Sequence, residues 1–235
     1  MKIAFVGPSL PQASEFAGPD LEIRPPACQG DVMRAVADGA TVIGLIDAQF
    51  EYVTPVWHKE LLFALSNNIQ VFGAASMGAL RAAECAPFGM IGIGRIFEDF
   101  ISGRRVDDAD VALSHGPAEL NYLALSVPIV SVDSTLEQVC ELRLLSAQRC
   151  SEIAAAARSV FFKDRSWKRI AQAAGLDWAA LRPIIEQAWV DQKRLDALEL
   201  LGRLNGQTAA TALQRAWRFN ATPLWRKLYP SGQDL

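Results

Sequence analysis

The sequence predicts an α/β fold, in which a Rossmann-like, mostly parallel sheet with flanking helices is followed by an all-helical C-terminal region. Two observations lead to this prediction. Short apolar runs alternate with helical patterns over residues 1–135, which is typical of strands joined by crossover helices. From Leu136 onward the pattern is helical alone. We therefore divide the chain into an α/β core domain, residues 1–135, and a helical region, residues 136–235.

The charge distribution supports the same division. Residues 1–135 hold 8 Lys and Arg against 16 Asp and Glu, a net charge of −8, whereas residues 136–235 hold 15 against 10, a net charge of +5. A basic run of this kind is typical of solvated helix faces. It could also meet an acidic partner, but we expect no nucleic-acid partner.

Apolar runs place the strands of the predicted sheet. The expected strands are residues 2–6, 41–46, 69–72 and 91–93, with two more at 111–114 and 129–132. The run at 41–46 is apolar at nearly every position, as in a strand buried on both faces. In parallel sheets of this type, ligands bind at the carboxyl ends of the strands. Side chains directly after these strands are therefore candidate site residues.

Helical patterns fill the intervals and the tail. The expected helices are residues 31–38, 57–67, 77–85, 97–102, 136–162, 167–174, 178–204 with a bend near Pro183, and 209–219. Aromatic residues at helical spacing usually face a core. We therefore expect the tail tryptophans to pack in a core or an interface; they include Trp178, Trp189, Trp217 and Trp225.

Ser76 is the best candidate for a nucleophile. It lies in Gly73-Ala-Ala-Ser-Met-Gly78, between an apolar run and a strong helix-forming segment. A serine on a tight strand-to-helix turn resembles a nucleophile elbow, although Ala74 stands where the usual pattern has glycine. The N–H groups that begin the following helix could stabilise an oxyanion.

A serine nucleophile needs a base, and the chain has two histidines. His115 follows a predicted strand and is the candidate base, whereas His58 is expected on a helix surface. Asp47 ends the buried strand at 41–46. It could orient His115 as the third member of a triad, or cap a neighbouring helix. Glu51 is the alternative orienting acid.

Two arginines near the elbow are candidates for binding an anionic substrate. Arg81 and Arg95 carry guanidinium groups, which bind carboxylates through paired hydrogen bonds; local acids are the alternative partners. The acidic cluster at 107–110 is more typical of a capped loop than of a metal site. The four cysteines form no C-x-x-C pair, so neither a metal nor another cofactor is expected.

The N-terminal residues and the length of the apolar runs indicate in which cellular compartment the protein is expected. Residues 1–7 are typical of a first strand rather than of a signal peptide. No apolar run approaches the roughly 20 residues that span a bilayer. We expect a soluble cytoplasmic protein without membrane partners, and a homo-oligomer stays open.

Several distinctive segments occur in order and together resemble the TfuA-like family. The resemblance covers roughly residues 1–135 and rests on Gly7-Pro-Ser9, Arg24-Pro-Pro-Ala27, Gln29-Gly-Asp31, Ile46-Asp47, Phe50-Glu51, Val56-Trp-His-Lys-Glu60, the run from Val71 to Glu84, Phe88-Gly-Met90, the run from Gly92 to Phe97, and His115-Gly-Pro117. The helical tail carries none of these segments.

The resemblance implies a role in sulfur supply. Members of this family accompany YcaO proteins in making peptide backbone thioamides, and the implied partners are a YcaO-type thioamide synthetase and a ThiS-like sulfur carrier. The implied reaction is hydrolysis of the carrier's C-terminal thiocarboxylate, which releases sulfide. The candidate residues identified above fit this reaction, and we expect Ser76, His115 and Asp47 to be catalytic. The expected substrate-binding residues are Gly7, Ser9, Glu51, Met77, Arg81 and Arg95.

Three other functions stay open. The chain could be a non-catalytic adaptor that docks the YcaO protein and the carrier through its basic tail. It could be a serine esterase of unrelated substrate. It could also relay sulfur as a cysteine persulfide on Cys28 or Cys85, although no paired resolving cysteine favours this reaction.

Overall fold

Five parallel strands form the sheet. They are β1 (Lys2–Phe5), β2 (Leu21–Arg24), β3 (Val42–Leu45), β4 (Gln70–Ala74) and β5 (Ile91–Ile93), in the order β2-β1-β3-β4-β5. This computed structural model describes residues 1–207 and 216–229. Every pairing between neighbouring strands is parallel. The predicted α/β class is therefore confirmed.

Strand β2 is the strand that the apolar runs missed. It lies at the edge of the sheet, where its first residue, Leu21, is buried and Glu22 is exposed. Leu21 pairs with Lys2 of β1. An edge strand needs no continuous apolar run because part of it faces water.

Helices connect the strands of the sheet. They are α1 (Ala13–Phe16), α2 (Asp31–Ala37), α3 (His58–Ser66), α4 (Met77–Cys85) and α5 (Arg95–Ile101). The helix after the elbow has the bounds that were predicted, 77–85. The other predicted helices of this half differ at their ends by one or two residues.

Two predicted strands are wrong. Residues 111–114 form no strand, and residues 129–132 begin α6 (Ile129–Glu141). The buried apolar side chains of α6 recur at helical spacing, from Ile129 and Val132 to Leu136 and Val139. This buried face, which packs into a core, outweighs the strand preference of the β-branched residues at the start of α6.

The tail contains more and shorter helices than predicted. After α6 come α7 (Ala147–Ser159), α8 (Trp167–Ala173), α9 (Trp178–Ala188), α10 (Gln192–Asn205) and α11 (Pro223–Leu228). Ser146 and Asp191 accept hydrogen bonds from backbone N–H groups and cap α7 and α10, so each begins a new helix. Of the predicted helix at 209–219, residues 209–215 lie outside the described residues, and 216–219 are not helical.

The tail contributes to the core on both faces of the sheet. On one face, α10 buries Leu200 and Leu204 in a cluster with Ala4 and Phe72. On the other face, the fully buried Trp225 belongs to the cluster that contains Phe5 and Phe63. Helices α6 to α9 form a separate apolar cluster of their own. No helix in residues 1–207 or 216–229 has both the length and the apolar character needed to cross a membrane.

Candidate functional site

A cavity of about 550 Å³ lies beyond the carboxyl ends of β3 and β4. It brings together side chains from distant parts of the sequence. Ser76, His115, Asp47 and Glu51, all predicted for the site, line this cavity together with Lys193 of the tail.

Asp47 is buried and held by the loop that follows β1. Its carboxylate accepts hydrogen bonds from the backbone N–H groups of Gly7 and Ser9, at 2.9 and 3.0 Å, and from the Ser9 hydroxyl at 2.6 Å. Gly7 and Ser9 therefore belong to the site through Asp47. Their N–H groups are already engaged, so an additional role in holding an oxyanion is not supported by this geometry.

Lys193 is a site residue that sequence analysis missed. Its side chain comes from the first turn of α10 and is buried. The ammonium donates a hydrogen bond to the Val111 carbonyl at 3.1 Å and lies 4.0 Å from the Asp47 carboxylate. Burial lowers the pKa of Lys193, whereas the carboxylates of Asp47 and Asp191 oppose that shift. In the sequence, Lys193 lies inside the predicted helix 178–204, where a lysine is typical of a solvated face, so nothing marked it as a site residue.

Ser76 lies on a tight turn between β4 and α4. Ala75, directly before it, has a φ of +66°, a left-handed conformation that costs energy in a residue other than glycine. The turn also requires a glycine at position 78, because a Cβ atom there would lie 1.8 Å from the Leu45 carbonyl oxygen. The strand-to-helix turn expected of a nucleophile elbow is thus present, and strain is concentrated next to its serine.

Most backbone N–H groups at this turn are already paired. The N–H groups of Ser76, Gly78 and Ala79 donate to the carbonyls of Ala74, Ile46 and Ser76. Within the described part of the chain, the Met77 N–H has no such partner. In nucleophile elbows, the N–H of the residue after the nucleophile contributes to the oxyanion hole. Met77 follows Ser76 directly, but it does not line the cavity that contains Ser76.

His115 is oriented by a backbone carbonyl. Its Nδ1 lies 2.7 Å from the Gly116 carbonyl oxygen, and an acceptor there assigns the proton to Nδ1. The Nε2 atom is then the one that can accept a proton. The ring also packs edge-on against Tyr122, with ring centroids 5.8 Å apart.

A direct link between His115 and a carboxylate is not present in residues 1–207 and 216–229. The Asp47 carboxylate accepts hydrogen bonds from Gly7 and Ser9 and lies near the Lys193 ammonium. Glu51 forms an ion pair with Lys163 at 3.0 Å. Neither acid orients His115 in this structure. The Gly116 carbonyl orients the ring instead.

Three side chains predicted to bind substrate lie elsewhere. Arg81 and the Met77 side chain line a separate cavity, where Arg81 forms an ion pair with Glu84 at 2.6 Å. Arg95 pairs with Glu137 of α6, also at 2.6 Å. Arg81 therefore pairs with a local acid, as the alternative prediction had it, whereas the acid that engages Arg95 comes from a distant helix.

Thiol chemistry is disfavoured by the environment of two cysteines. Burial raises the pKa of Cys85 to about 11, and burial and the adjacent Asp31 raise the pKa of Cys28. A thiol becomes a good nucleophile when its pKa is lowered. Neither cysteine lines the cavity that contains Ser76.

The acidic cluster at 107–110 serves a local structural purpose. Asp107 accepts a hydrogen bond from the Ala109 N–H and caps a short 3₁₀ turn. Asp110 pairs with Arg105. Among the described residues, no group of three or more His, Cys, Asp or Glu side chains is arranged to hold a metal ion.

The cavity thus brings together several polar and charged groups from distant parts of the chain. It has a hydroxyl beside a strained turn residue, an imidazole with an acceptor nitrogen, and a buried ammonium. Comparison with known proteins gives the context. A search of curated proteins found no match. The family model described as TfuA-like protein matches residues 47–166, slightly more than half of the chain. The chain belongs to the TfuA-like family.

Proposed function

We propose that this protein is an accessory enzyme of YcaO-dependent peptide backbone thioamidation. It hydrolyses the C-terminal thiocarboxylate of a ThiS-like sulfur-carrier protein and releases sulfide for a YcaO-type thioamide synthetase. Membership of the TfuA-like family supports the role in thioamidation. The observation that carries the hydrolysis is the single cavity lined by Ser76, His115 and Lys193. This role would place the protein in the cytoplasm.

The reaction begins with Ser76. Its hydroxyl oxygen attacks the thiocarboxyl carbon, and Nε2 of His115 takes the hydroxyl proton. The C–S bond then breaks, and sulfur leaves with the proton that His115 returns.

Water completes the cycle. His115 removes a proton from water, the hydroxide attacks the acyl-enzyme, and the bond to Ser76 breaks as the proton passes to its oxygen. The net reaction converts one thiocarboxylate and one water into one carboxylate and one hydrogen sulfide. The alternative without a covalent intermediate has water as the direct nucleophile, with Ser76 as a binding group.

Lys193 supplies the electrostatic part of the proposal. A thiocarboxylate is anionic, and an anion resists attack at its carbon. A buried ammonium on the cavity wall would attract this group and offset its charge. The Lys163 ammonium, which also lines the cavity, adds positive charge near Glu51.

The test is sulfide release from a thiocarboxylated ThiS-type carrier by the purified protein. Ser76→Ala and His115→Ala should each reduce the rate at least 100-fold. Ser102→Ala and His58→Ala, which change an exposed serine and a half-buried histidine outside the cavity, are the matched controls and should keep the wild-type rate.

The outcomes separate the hydrolase from its alternatives. Mass-spectrometric detection of an acyl group on Ser76 would support the covalent route, and full activity of Ser76→Ala would exclude it. No release by the wild type would favour the adaptor, which then requires the YcaO partner in the assay. Turnover of small activated esters without turnover of the carrier would favour an unrelated esterase.

A further inference from the structure

A second cavity, of about 500 Å³, adjoins the one that contains Ser76. The two share three residues, Pro8, Leu113 and Lys193. We call the second cavity the tryptophan groove, because Trp167, Trp178 and Trp189 line it. The groove therefore opens beside the proposed reaction site, with the buried Lys193 ammonium at the junction.

The walls of the groove suit an extended peptide. Trp189 is 44% exposed, and its ring packs edge-on against Trp167 with centroids 6.2 Å apart. Tryptophan faces provide a large contact area and lose little conformational entropy on binding. Leu125, 60% exposed at the same groove, adds apolar surface.

Two wall residues carry buried polar groups that lack partners. Ser131 is 1% exposed, and its hydroxyl has no hydrogen-bond partner among the described residues. The indole N–H of Trp167 is likewise buried and unpaired in that part of the chain. Unpaired buried polar groups cost free energy. Both atoms are closed to solvent in this structure, so a bound peptide backbone would pair with them only where a side-chain shift opens the groove wall.

We infer that the tryptophan groove binds the extended C-terminal segment of the carrier protein, directly before the thiocarboxylate. This inference rests on the proposed function. The reacting carbon of such a substrate is the last in its chain, so the preceding residues must leave the site through an adjoining opening. The groove meets the site at Lys193, where the anionic end of the chain would be attracted.

The Lys193 ammonium favours one direction for the bound segment, although the carboxylates of Asp47 and Asp191 offset part of its charge. Its terminal thiocarboxylate would lie toward Lys193 and Ser76, and its preceding residues would pass over the tryptophans toward Lys168, at the rim of the groove. An apolar ligand without an anionic end would gain nothing from Lys193. This polarity distinguishes a peptide C-terminus from a general apolar ligand.

The experiment measures binding, so that it does not depend on turnover. The probe is a peptide of the last ten residues of a ThiS-type carrier, with a free C-terminal carboxylate, titrated into the full-length protein by calorimetry. Trp189→Ala should raise its Kd about tenfold, and Ser131→Ala about threefold. Amidation of the peptide's C-terminus should also weaken binding at least tenfold.

Two controls separate binding from stability. Trp217→Ala removes a partly buried tryptophan that also packs edge-on, against Phe88, but lines neither cavity, and it should keep the wild-type Kd. Ser131→Ala removes an unpaired hydroxyl, so weaker binding without a loss of thermal stability would mark a role in recognition.

The binding experiment and the sulfide-release assay can fail independently of each other. No binding of the peptide by the wild type, or equal Kd values for the wild type, Trp189→Ala and Ser131→Ala, would overturn the groove assignment. A wild type that binds the peptide through Trp189 but releases no sulfide would refute the hydrolase while the groove assignment stands.

Discussion

The Lys193 ammonium lies 4.0 Å from the Asp47 carboxylate, and each side chain is only 3% exposed. This buried pair connects the first turn of α10 with the residues that follow β3. Because the effective dielectric constant is low in such an environment, the attraction within the pair is strong and the loss of either partner is costly. The helical tail thereby becomes part of the candidate site.

Replacement of Lys193 by methionine should therefore destabilise the protein. Lys193→Met leaves the Asp47 carboxylate buried without its cation, which should lower the free energy of unfolding by about 3 kcal/mol. Adding Asp47→Asn removes the unpaired charge and should recover part of this loss. Urea denaturation followed by circular dichroism measures both variants.

The same pair of variants tests the role of Lys193 in sulfide release. If the ammonium attracts the thiocarboxylate, the double variant should fold yet release sulfide at least 100-fold more slowly than the wild type. Wild-type activity in a folded Asp47→Asn, Lys193→Met protein would show that the ion pair between these two residues has a structural role only.

Gly78 should tolerate no side chain. An alanine Cβ at this position would lie 1.8 Å from the Leu45 carbonyl oxygen and 2.6 Å from its carbonyl carbon. Gly78→Ala must push α4 away from β3, so we expect a loss of about 3 kcal/mol in the free energy of unfolding, together with loss of activity from the displaced Ser76.

Gly202 provides the matched control for that substitution. It also lies within a helix, α10, but no atom would lie within 4 Å of an added Cβ. Gly202→Ala should stabilise the protein by about 1 kcal/mol, since alanine favours the helix. Equal thermal shifts for the two variants would contradict the close packing at the elbow.

Asp196 should make stability depend on pH. Burial raises its pKa to about 6, although it accepts hydrogen bonds from the Ile96 N–H at 2.8 Å and from the Gln192 amide at 2.7 Å. Between about pH 4 and pH 6 the folded state then binds more protons at this site than the unfolded state. Stability contributed by this group is therefore present at low pH and falls as the pH rises through this window.

The comparison with Asp196→Asn isolates this effect. The asparagine stays neutral, so the stability of the wild type relative to the variant should fall between pH 4 and pH 7 by on the order of 2 to 3 kcal/mol. Urea denaturation at both pH values measures the difference, and the exposed Asp20→Asn controls for the loss of one charge. A constant difference between wild type and Asp196→Asn would refute the prediction.

Sequence patterns correctly predicted those helices and strands whose formation depends mainly on neighbouring residues. The fully apolar run around β3 and the strong helix former after Ser76 each gave the correct element. The run beginning at Ile129 did not, because a strand and a buried helix share the same short apolar signal. Its helical character depends on packing against residues far along the chain.

Prediction of the candidate site was limited in the same way, by contacts between distant parts of the chain. Ser76, Asp47 and His115 attracted attention because each follows a predicted strand, and all three line the cavity. The Lys193 side chain reaches that cavity only because α10 packs on the sheet, through residues such as Leu200. No spacing within the tail encodes that contact. From the sequence, Arg81 and Arg95 could each bind an anionic substrate. In the structure, Arg81 pairs with Glu84 and Arg95 pairs with Glu137.

Sulfide release should not depend on the cysteines nearest to the proposed site in sequence. Burial raises the pKa of Cys85 to about 11, and the pKa of Cys28 is raised by burial and by Asp31. Both stay protonated near neutral pH, where a persulfide relay would need a thiolate. Cys28→Ala and Cys85→Ala should therefore release sulfide from the thiocarboxylated carrier at the wild-type rate.

Labelling extends this argument to the mechanism. With a carrier that contains ³⁵S in its thiocarboxylate, the serine route delivers all of the label as free sulfide and leaves none on the protein. A relay would instead place the sulfur on Cys28 or Cys85 as a persulfide, a step that needs a two-electron oxidant. The labelling is therefore repeated with a mild oxidant added, and label bound as a persulfide would be removed by a reducing agent. Protein-bound label that disappears in Cys28→Ala, together with lost sulfide release, would replace the serine mechanism by a sulfur relay.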